Sequence, residues 1–292
     1  MKQFKGHFKS DEKEFIQVFK ELCHSRQPWE VWQDLMTVMA CAIVNAVDRT
    51  PERYEARESE YKSCIKRLGG VEKPMQLYVN VVNALETNPD QDYLGALYMQ
   101  LELGNHWKGQ FFTPYYVSRA MSEMLMGDCQ KQIEQRGWIS ICDPCVGGGS
   151  MLIAAVSTLK QQNVYFHDHV LFVGQDIDRV VGMMAYIQIS LLGCPGYIVI
   201  ANSLTNPIVG DTLIPAEQKE QEFWYTPFYY SQGWQWRRNF VLLENMLIPR
   251  NTDEKAEDNI QVLVEHNRSK AVKLKKKSLV GQTIFDLFGI SD

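Results

Sequence analysis

The sequence predicts an α/β fold, in which a helical N-terminal part precedes a mostly parallel sheet with helices on both faces. Three observations carry this. Up to about residue 105 the apolar residues recur at helical spacing, with no strand signal of comparable strength. From Trp138 onward, short apolar runs alternate with helical stretches, which implies parallel strands joined by right-handed crossovers. A glycine-rich loop, Asp-Pro-Cys-Val-Gly-Gly-Gly-Ser at residues 143–150, separates the first such run from the helix after it.

The elements follow in order. Phe15, Val18, Phe19 and Leu22 mark a first helix, and Leu35, Val38, Met39, Ile43 and Val44 a second. Pro28 suits the first turn of that second helix. Further helices are expected at 52–67, 74–87, 92–103 and 114–126. The strand at 138–142 leads through the loop into a helix at 151–159. A second strand at 170–174 ends in Gln175-Asp176-Ile177-Asp178, a helix covers 180–192, and a third strand covers 197–201. After Leu213 the pattern degrades: 217–222 is polar, 223–236 is dense in aromatics, and 240–247 reads as one more strand or helix. The expected organisation is a helical domain at 1–105, a ligand-binding domain at 106–250 and a charged tail at 251–292.

A chain of 292 residues holds one large domain or two modest ones, and 45% hydrophobic with 22% charged residues is an ordinary globular composition. No apolar run is long enough to span a bilayer, and residues 1–13 are too polar for a secretory signal, so a cytoplasmic protein without a membrane partner is expected. The seven cysteines have no framework spacing. Cys142 and Cys145 form a C-x-x-C pair with no second pair to complete a zinc site, so no metal is expected. Cys142, at the end of a strand, is expected to point inward. A net charge of −5 argues against non-specific coating of nucleic acid, although Arg268, Lys270, Lys273, Lys275, Lys276 and Lys277 form a local basic patch.

The loop carries the chemistry. Glycines let the backbone approach a ligand where a Cβ would collide, and the next helix aims its free N–H groups there. Asp143 starts the loop at the carboxyl end of a strand, where open α/β sheets bind ligands. Neither G-x-G-x-x-G nor Gly-Lys-Ser/Thr is present, which favours an adenosine ligand without phosphates, S-adenosylmethionine above all. An acid at the tip of the second strand accepts hydrogen bonds from ribose hydroxyls; Asp176 is placed for this, with Asp178 as runner-up. Helix capping by either is the plain alternative. Asn202, ending the third strand, either reads an adenine edge with its amide or forms a simple turn.

At this point the sequence resembles a known family. Gly109-Gln110-Phe111-Phe112-Thr113-Pro114, the loop at 143–151, Gln175-Asp176-Ile177 and Asn202-Ser203-Leu204 look like consecutive motifs of N6-adenine DNA methyltransferases. The resemblance is strongest to the modification subunit of type I restriction systems, which the stretch 92–101 (DYLGALYMQL) also resembles. It implies a Rossmann-like S-adenosylmethionine-dependent methyltransferase fold, transfer of a methyl group to adenine N6 in DNA, and DNA and a specificity subunit as partners. Phe111, Thr113 and Pro114 would border the methionine end of the cofactor. Asp143 and Gly147 to Gly149 would hold its amino-acid portion, Asp176 the ribose and Asn202 the adenine, with Cys145 and Ile177 in the same site.

The family's Asn/Asp-Pro-Pro-Tyr/Phe tetrapeptide, which accepts the amine's hydrogens and stacks on a flipped base, is absent. Asn206-Pro207-Ile208 keeps the asparagine but follows the third strand too soon. Thr226-Pro227-Phe228-Tyr229 falls near the expected distance and is the candidate catalytic segment, with threonine in place of asparagine. Removing one preorganised acceptor costs about 10²–10³ in rate. A catalytically inactive cofactor- or DNA-binding regulator on the same fold is therefore the alternative. An RNA or small-molecule methyltransferase fits the fold but not the GQFFTP segment. The chain is short for a whole type I modification subunit, so target recognition is expected from a partner or from residues after Phe223. The stretch from Gln282 to Phe288, behind a basic linker, resembles peptides that dock on replication sliding clamps; a terminal helix folded back on the body is the alternative.

Overall fold

The computed structural model describes residues 10–103 and 112–247. The chain divides into two compact units, Met1–Arg238 and Asn239–Asp292. In the first unit, five helices precede the pocket-forming part: α1 (Ser10–Leu22), α2 (Pro28–Val47), α3 (Pro51–Arg67), α4 (Glu72–Thr87) and α5 (Tyr93–Gln100). Pro28 and Pro51 sit in first turns, where a missing N–H costs nothing. The helix α2 is buried almost throughout, and its Trp32 meets the rings of Phe15 and Phe19 of α1 edge-on.

Then come α6 (Tyr115–Leu125), α7 (Cys129–Arg136), β1 (Ile139–Asp143), α8 (Ser150–Gln161), α9 (Phe166–His169), β2 (Val170–Asp176), α10 (Arg179–Leu191) and β3 (Gly196–Ile200). The connection after β3 holds a two-residue ladder of β4 (Val209–Gly210) with β5 (Pro215–Ala216), then β6 (Glu222–Tyr225), a 3-10 turn at Pro227–Tyr230 and the start of α11 (Gln232–Leu247). Of the second unit only 239–247 are described. They continue α11 as a helix, which decides between the two readings of that stretch, and Phe240, Leu243 and Met246 on it are exposed. The basic patch and the stretch from Gln282 to Phe288 lie outside the described residues.

The main sheet has the order β1-β2-β3-β6. The expected parallel pairing holds for β1 with β2 and β2 with β3. The fourth strand is antiparallel to β3, with Glu222 opposite Ile200 and Tyr225 opposite Tyr197, so the sheet is mixed. The helix α10 packs on β2 and β3, and α2 packs on α10. The two central strands are buried, whereas β1 lies at an edge with Ser140 and Cys142 exposed. Cys142 therefore does not point inward as expected: an edge strand has one face that the next element need not cover. Cys41, Cys64, Cys129 and Cys194 are buried thiols. Among the described residues no helix is long and apolar enough to cross a membrane.

Arginine–carboxylate pairs join the helical part to itself and to the sheet. Arg179 at the start of α10 donates to Glu60 of α3 through two nitrogens, both at 2.9 Å, and to Glu222 of β6 at 2.8 and 3.0 Å. Its guanidinium also lies 5.7 Å from the Trp224 ring centroid. Within the helical part, Asp34 of α2 accepts from Arg26 at 2.6 Å and from Arg67 at 2.6 Å. Asp48 accepts from Arg57 at 2.7 Å.

Burial alone would raise the Asp34 and Asp48 carboxyls, but hydrogen bonds from arginine, joined at Asp48 by two from Thr50, outweigh it and hold both below the ordinary carboxylate range. Their contribution to stability is present above the ordinary carboxylate pKa of about 3.9 and is lost as the pH falls through the lower folded-state value. Asp34→Asn is expected to lower the unfolding free energy at neutral pH by about 1.5–3 kcal/mol. The gap to the unsubstituted protein should close under acid conditions, below a pH of about 4. Urea titrations across this range check it; equal stability at neutral pH would show that the pair does not stabilise the helical part.

Candidate functional site

The loop between β1 and α8 is closed on itself by one hydrogen bond and folded onto the tip of β2 by two. Asp143 Oδ1 accepts the Cys145 N–H at 3.0 Å, the Val146 N–H donates to the Gln175 carbonyl at 3.0 Å, and the Gly147 N–H donates to Asp176 Oδ2 at 2.8 Å. Gly149 has φ 95°, and a Cβ on it would stand 3.1 Å from the Ala185 Cα of α10. Both the left-handed backbone and the close helix approach therefore require glycine at this position.

This loop floors a cavity of about 230 Å³. Asp143, Cys145, Gly147, Asp176 and Thr113 line it, together with Ser150, Met151 and Val181. A second cavity of about 610 Å³ shares Cys145 and Asp176 with the first and runs on past Ile177, Asn202 and Leu204. Ile177 is 70% exposed and Leu204 90% exposed, so this second cavity offers two uncovered apolar surfaces beside a carboxylate.

The carboxyls of Asp143 and Asp176 are both pushed above the ordinary range, mainly by burial, and the charge of Asp176 raises Asp143 further. Backbone hydrogen bonds oppose that rise in both. Among the described residues neither is paired with a lysine or arginine. Two poorly solvated acids at the mouth of one cavity suit a ligand that brings hydroxyl donors and a positive charge. Asp178 is the cap of α10, accepting the Val180 N–H at 2.9 Å. Asp178 thus caps the helix while also lining the second cavity, and Asp176, which accepts the Asp178 N–H at 2.9 Å, faces both cavities.

The opposite wall is carried by the segment before α6. Ser118 and Ser122 of α6 share 2.8 Å hydrogen bonds with Ser150 and Thr158 of α8, which docks the two helices side by side. Phe112 is packed against Tyr98, ring centroids 5.0 Å apart, and Thr113 faces the first cavity. Pro114 sits at the cap of α6 and lines neither of these two cavities. Phe111 lies outside the described residues. Asn202 lines the second cavity, but its side-chain oxygen accepts the Leu204 N–H at 2.9 Å and so folds a turn. Ser150, Met151 and Val181 were missed, although the first turn of a helix after a ligand-binding loop faces the same opening as the loop.

The structure does not bring Thr226, Pro227, Phe228 and Tyr229 to these cavities, and the expectation of a catalytic segment there is corrected. The cavities open at the carboxyl ends of β1, β2 and β3. Because β6 is antiparallel, its end lies at the amino end of β3, about 13 Å away along the strand at about 3.3 Å per residue. Thr226 is buried: its Oγ1 donates to the Cys194 carbonyl at 2.7 Å and accepts the Gly196 N–H at 3.0 Å. Tyr229 donates its hydroxyl to the Leu213 carbonyl at 2.7 Å, and the Phe228 ring packs on His167 at 5.2 Å. Asn206 is likewise spent on structure, with Oδ1 accepting from Gln221 at 3.1 Å and Nδ2 donating to the Lys219 carbonyl at 3.2 Å.

The family model for N-6 DNA methylase matches residues 90–271, well over half of the chain. No curated protein matches it significantly.

Thr226→Val keeps the shape of the side chain and strips the partner from a buried N–H and a buried carbonyl. It is expected to lower stability by about 1–3 kcal/mol. The loop at 143–150 should be untouched, so the protection of its amides against hydrogen exchange should stay at the unsubstituted level. Urea unfolding and amide exchange together check this. Unchanged stability would mean that Thr226 does not tie β6 to β3.

Proposed function

The chain belongs to the N-6 DNA methylase family, and on that premise we propose that its two joined cavities bind S-adenosylmethionine for methylation of adenine N6 in DNA. The observation that carries the reading is the pair of poorly solvated carboxylates, Asp143 and Asp176, bracketing a glycine-rich turn at the carboxyl ends of parallel strands. That placement supports a Rossmann-like methyltransferase fold at 106–250 behind a helical domain at 1–105.

The donor set fits this cofactor. Asp143 would face the ammonium of its amino-acid portion, and Gly147 to Gly149 would let that portion lie against the backbone. Thr113, with Phe111 and Pro114 beside it in sequence, would border the methionine end. Asp176, which already accepts the Gly147 and Asp178 N–H groups, would use its remaining lone pairs for the ribose hydroxyls. Ile177 and Leu204 would be apolar neighbours for adenine, with Asn202 at its edge. The cofactor supplies an electrophilic methyl group on a sulfonium; the chain supplies the negative field and the orientation. The closest functional kind is the type I modification subunit, with DNA and a specificity subunit as partners, in the cytoplasm. A sliding clamp at the stretch from Gln282 to Phe288 is a further partner in this reading.

The position of Thr226 favours a second reading, a catalytically inactive cofactor- or DNA-binding regulator on the same fold. Neither Thr226 nor Asn206 offers the free acceptor that an adenine amine requires.

Calorimetric titration with S-adenosylmethionine tests the first step. Saturable binding is expected, with Asp176→Ala weakening it about 10–100-fold through loss of charged hydrogen bonds. Binding should also weaken on acidification at a higher pH than an exposed aspartate would dictate, because protonation of Asp143 and Asp176 removes the charge the ligand meets. Transfer of labelled methyl to DNA, with and without a specificity partner, then separates the readings. Binding without transfer under either condition selects the regulator; absence of binding overturns the enzyme reading and the cofactor-binding form of the regulator, leaving DNA binding alone.

A further inference from the structure

The turn before α5 holds a buried carboxyl that the pocket description leaves unused. Asp92 caps α5, accepting the Gly95 N–H at 2.9 Å. Unlike Asp128, the exposed cap of α7, it is buried, and burial pushes its carboxyl up. Its Oδ1 also accepts from Gln188 Nε2 at 2.8 Å. The same Gln188 nitrogen donates to the Gly148 carbonyl at 2.9 Å, and Gln188 Oε1 accepts the Leu94 N–H at 3.1 Å. Three hydrogen bonds thus fix which way the Gln188 amide faces, and that side chain is fully buried in α10.

The chain of contacts ends on the middle glycine of the loop. Gly148 has no side chain by which to be anchored, and consecutive glycines lose more backbone entropy on ordering than other residues do. Position 95 is matched to the same arrangement, since a Cβ there would stand 2.2 Å from Asp92 Oδ2. The turn holds the other wall as well: Asp90 accepts the Tyr115 hydroxyl and, at 2.9 Å, Arg119 of α6.

We propose that Asp92 is a positioning residue of the glycine-rich loop, acting through Gln188 on the Gly148 peptide and so setting how the loop presents its backbone to the cofactor. The inference rests on the cofactor reading above for its consequence, but not for its mechanism. A residue that merely capped α5 would affect that helix. A positioning residue affects a loop about fifty positions away in sequence.

The test uses the full chain with Asp92→Ala, Asp92→Asn, Gln188→Met and the double substitution Asp92→Ala with Gln188→Met. Amide exchange at residues 147–150 is read without ligand, beside exchange of the central strand β2. Asp92→Ala and Gln188→Met should each speed loop exchange about tenfold or more, with β2 unchanged. Asp92→Asn, which keeps a carbonyl oxygen for both donors, should restore protection to within about threefold. The double substitution should add little to either single one, because both break one chain of bonds. Affinity for S-adenosylmethionine should fall in the same order. Wild-type loop exchange in both single substitutions, equal acceleration in β2, or additive effects would overturn the proposal. If Asp92→Ala does not fold, Gln188→Met decides by the same criteria. If the unsubstituted protein binds no S-adenosylmethionine, the cofactor reading fails while loop exchange still decides the role of Asp92.

Discussion

The Gly147 N–H bonded to Asp176 Oδ2 joins the tips of two parallel strands, and the rest of the pocket is arranged around that bond. It forms only if the loop after β1 lies down on β2. Gly174 permits this: a Cβ there would come within 3.0 Å of Val146, so the strand leaves room for the loop's one apolar side chain. With Val146 seated, its N–H reaches the Gln175 carbonyl and the next N–H reaches Asp176. Gly149 then turns the chain against Ala185, and α8 starts from there. Each step needs the absence of a side chain at one position and a polar group at the next, which is why a run of small residues and acids recurs at these strand ends.

That arrangement has an electrostatic cost. Burial raises both carboxyls, and the charge of Asp176 raises Asp143 further while that of Asp178 raises Asp176. Both accept backbone N–H groups but among the described residues meet no lysine or arginine, whereas Asp34 and Asp48 in the helical part are each met by arginine. Carboxylates matched with guanidinium stabilise the scaffold; carboxylates left facing a cavity are set up for a ligand. The contrast between these two sets separates scaffold from site more sharply than burial does.

Much of this was legible in the sequence because it is local. Strand lengths, the loop, the first-turn prolines of α2 and α3 and the acid at the tip of β2 depend on residues within one turn or one strand of each other. The direction of β6 is not local. Glu222–Tyr225 is a short apolar run that would fit either direction. Its orientation is set by the long connection at 201–221 and by the buried bonds of Thr226 to Cys194 and Gly196. Spacing alone placed Thr226 near a catalytic position; pairing moved it to the other end of the sheet. The exposure of Cys142 has the same origin, since nothing in its own strand announces an edge. The link from Asp92 to Gly148 spans α5, the loop and α10, and only the assembled fold brings those together.

The antiparallel β6 also bears on how binding and transfer relate. A methyl donor needs an acceptor held opposite its sulfonium, and an exocyclic amine needs hydrogen-bond acceptors to sharpen its lone pair. The chain's two candidate acceptors, Asn206 and Thr226, are each committed: one pins the connection at 201–221 to Gln221, the other pins β6 to β3. Freeing either would loosen the element that carries it, so neither can be recruited without loss of structure. Neither residue lines the first cavity, where Gly147 is held by Asp176 of β2 and Gly148 by Gln188 of α10, whereas the Asn206 N–H donates to the carbonyl of Asn202 in the wall of the second. Changes confined to residues 222–231 should therefore leave the first cavity in place, whereas changes at 202–206 should disturb the second, which Asn202 and Leu204 line.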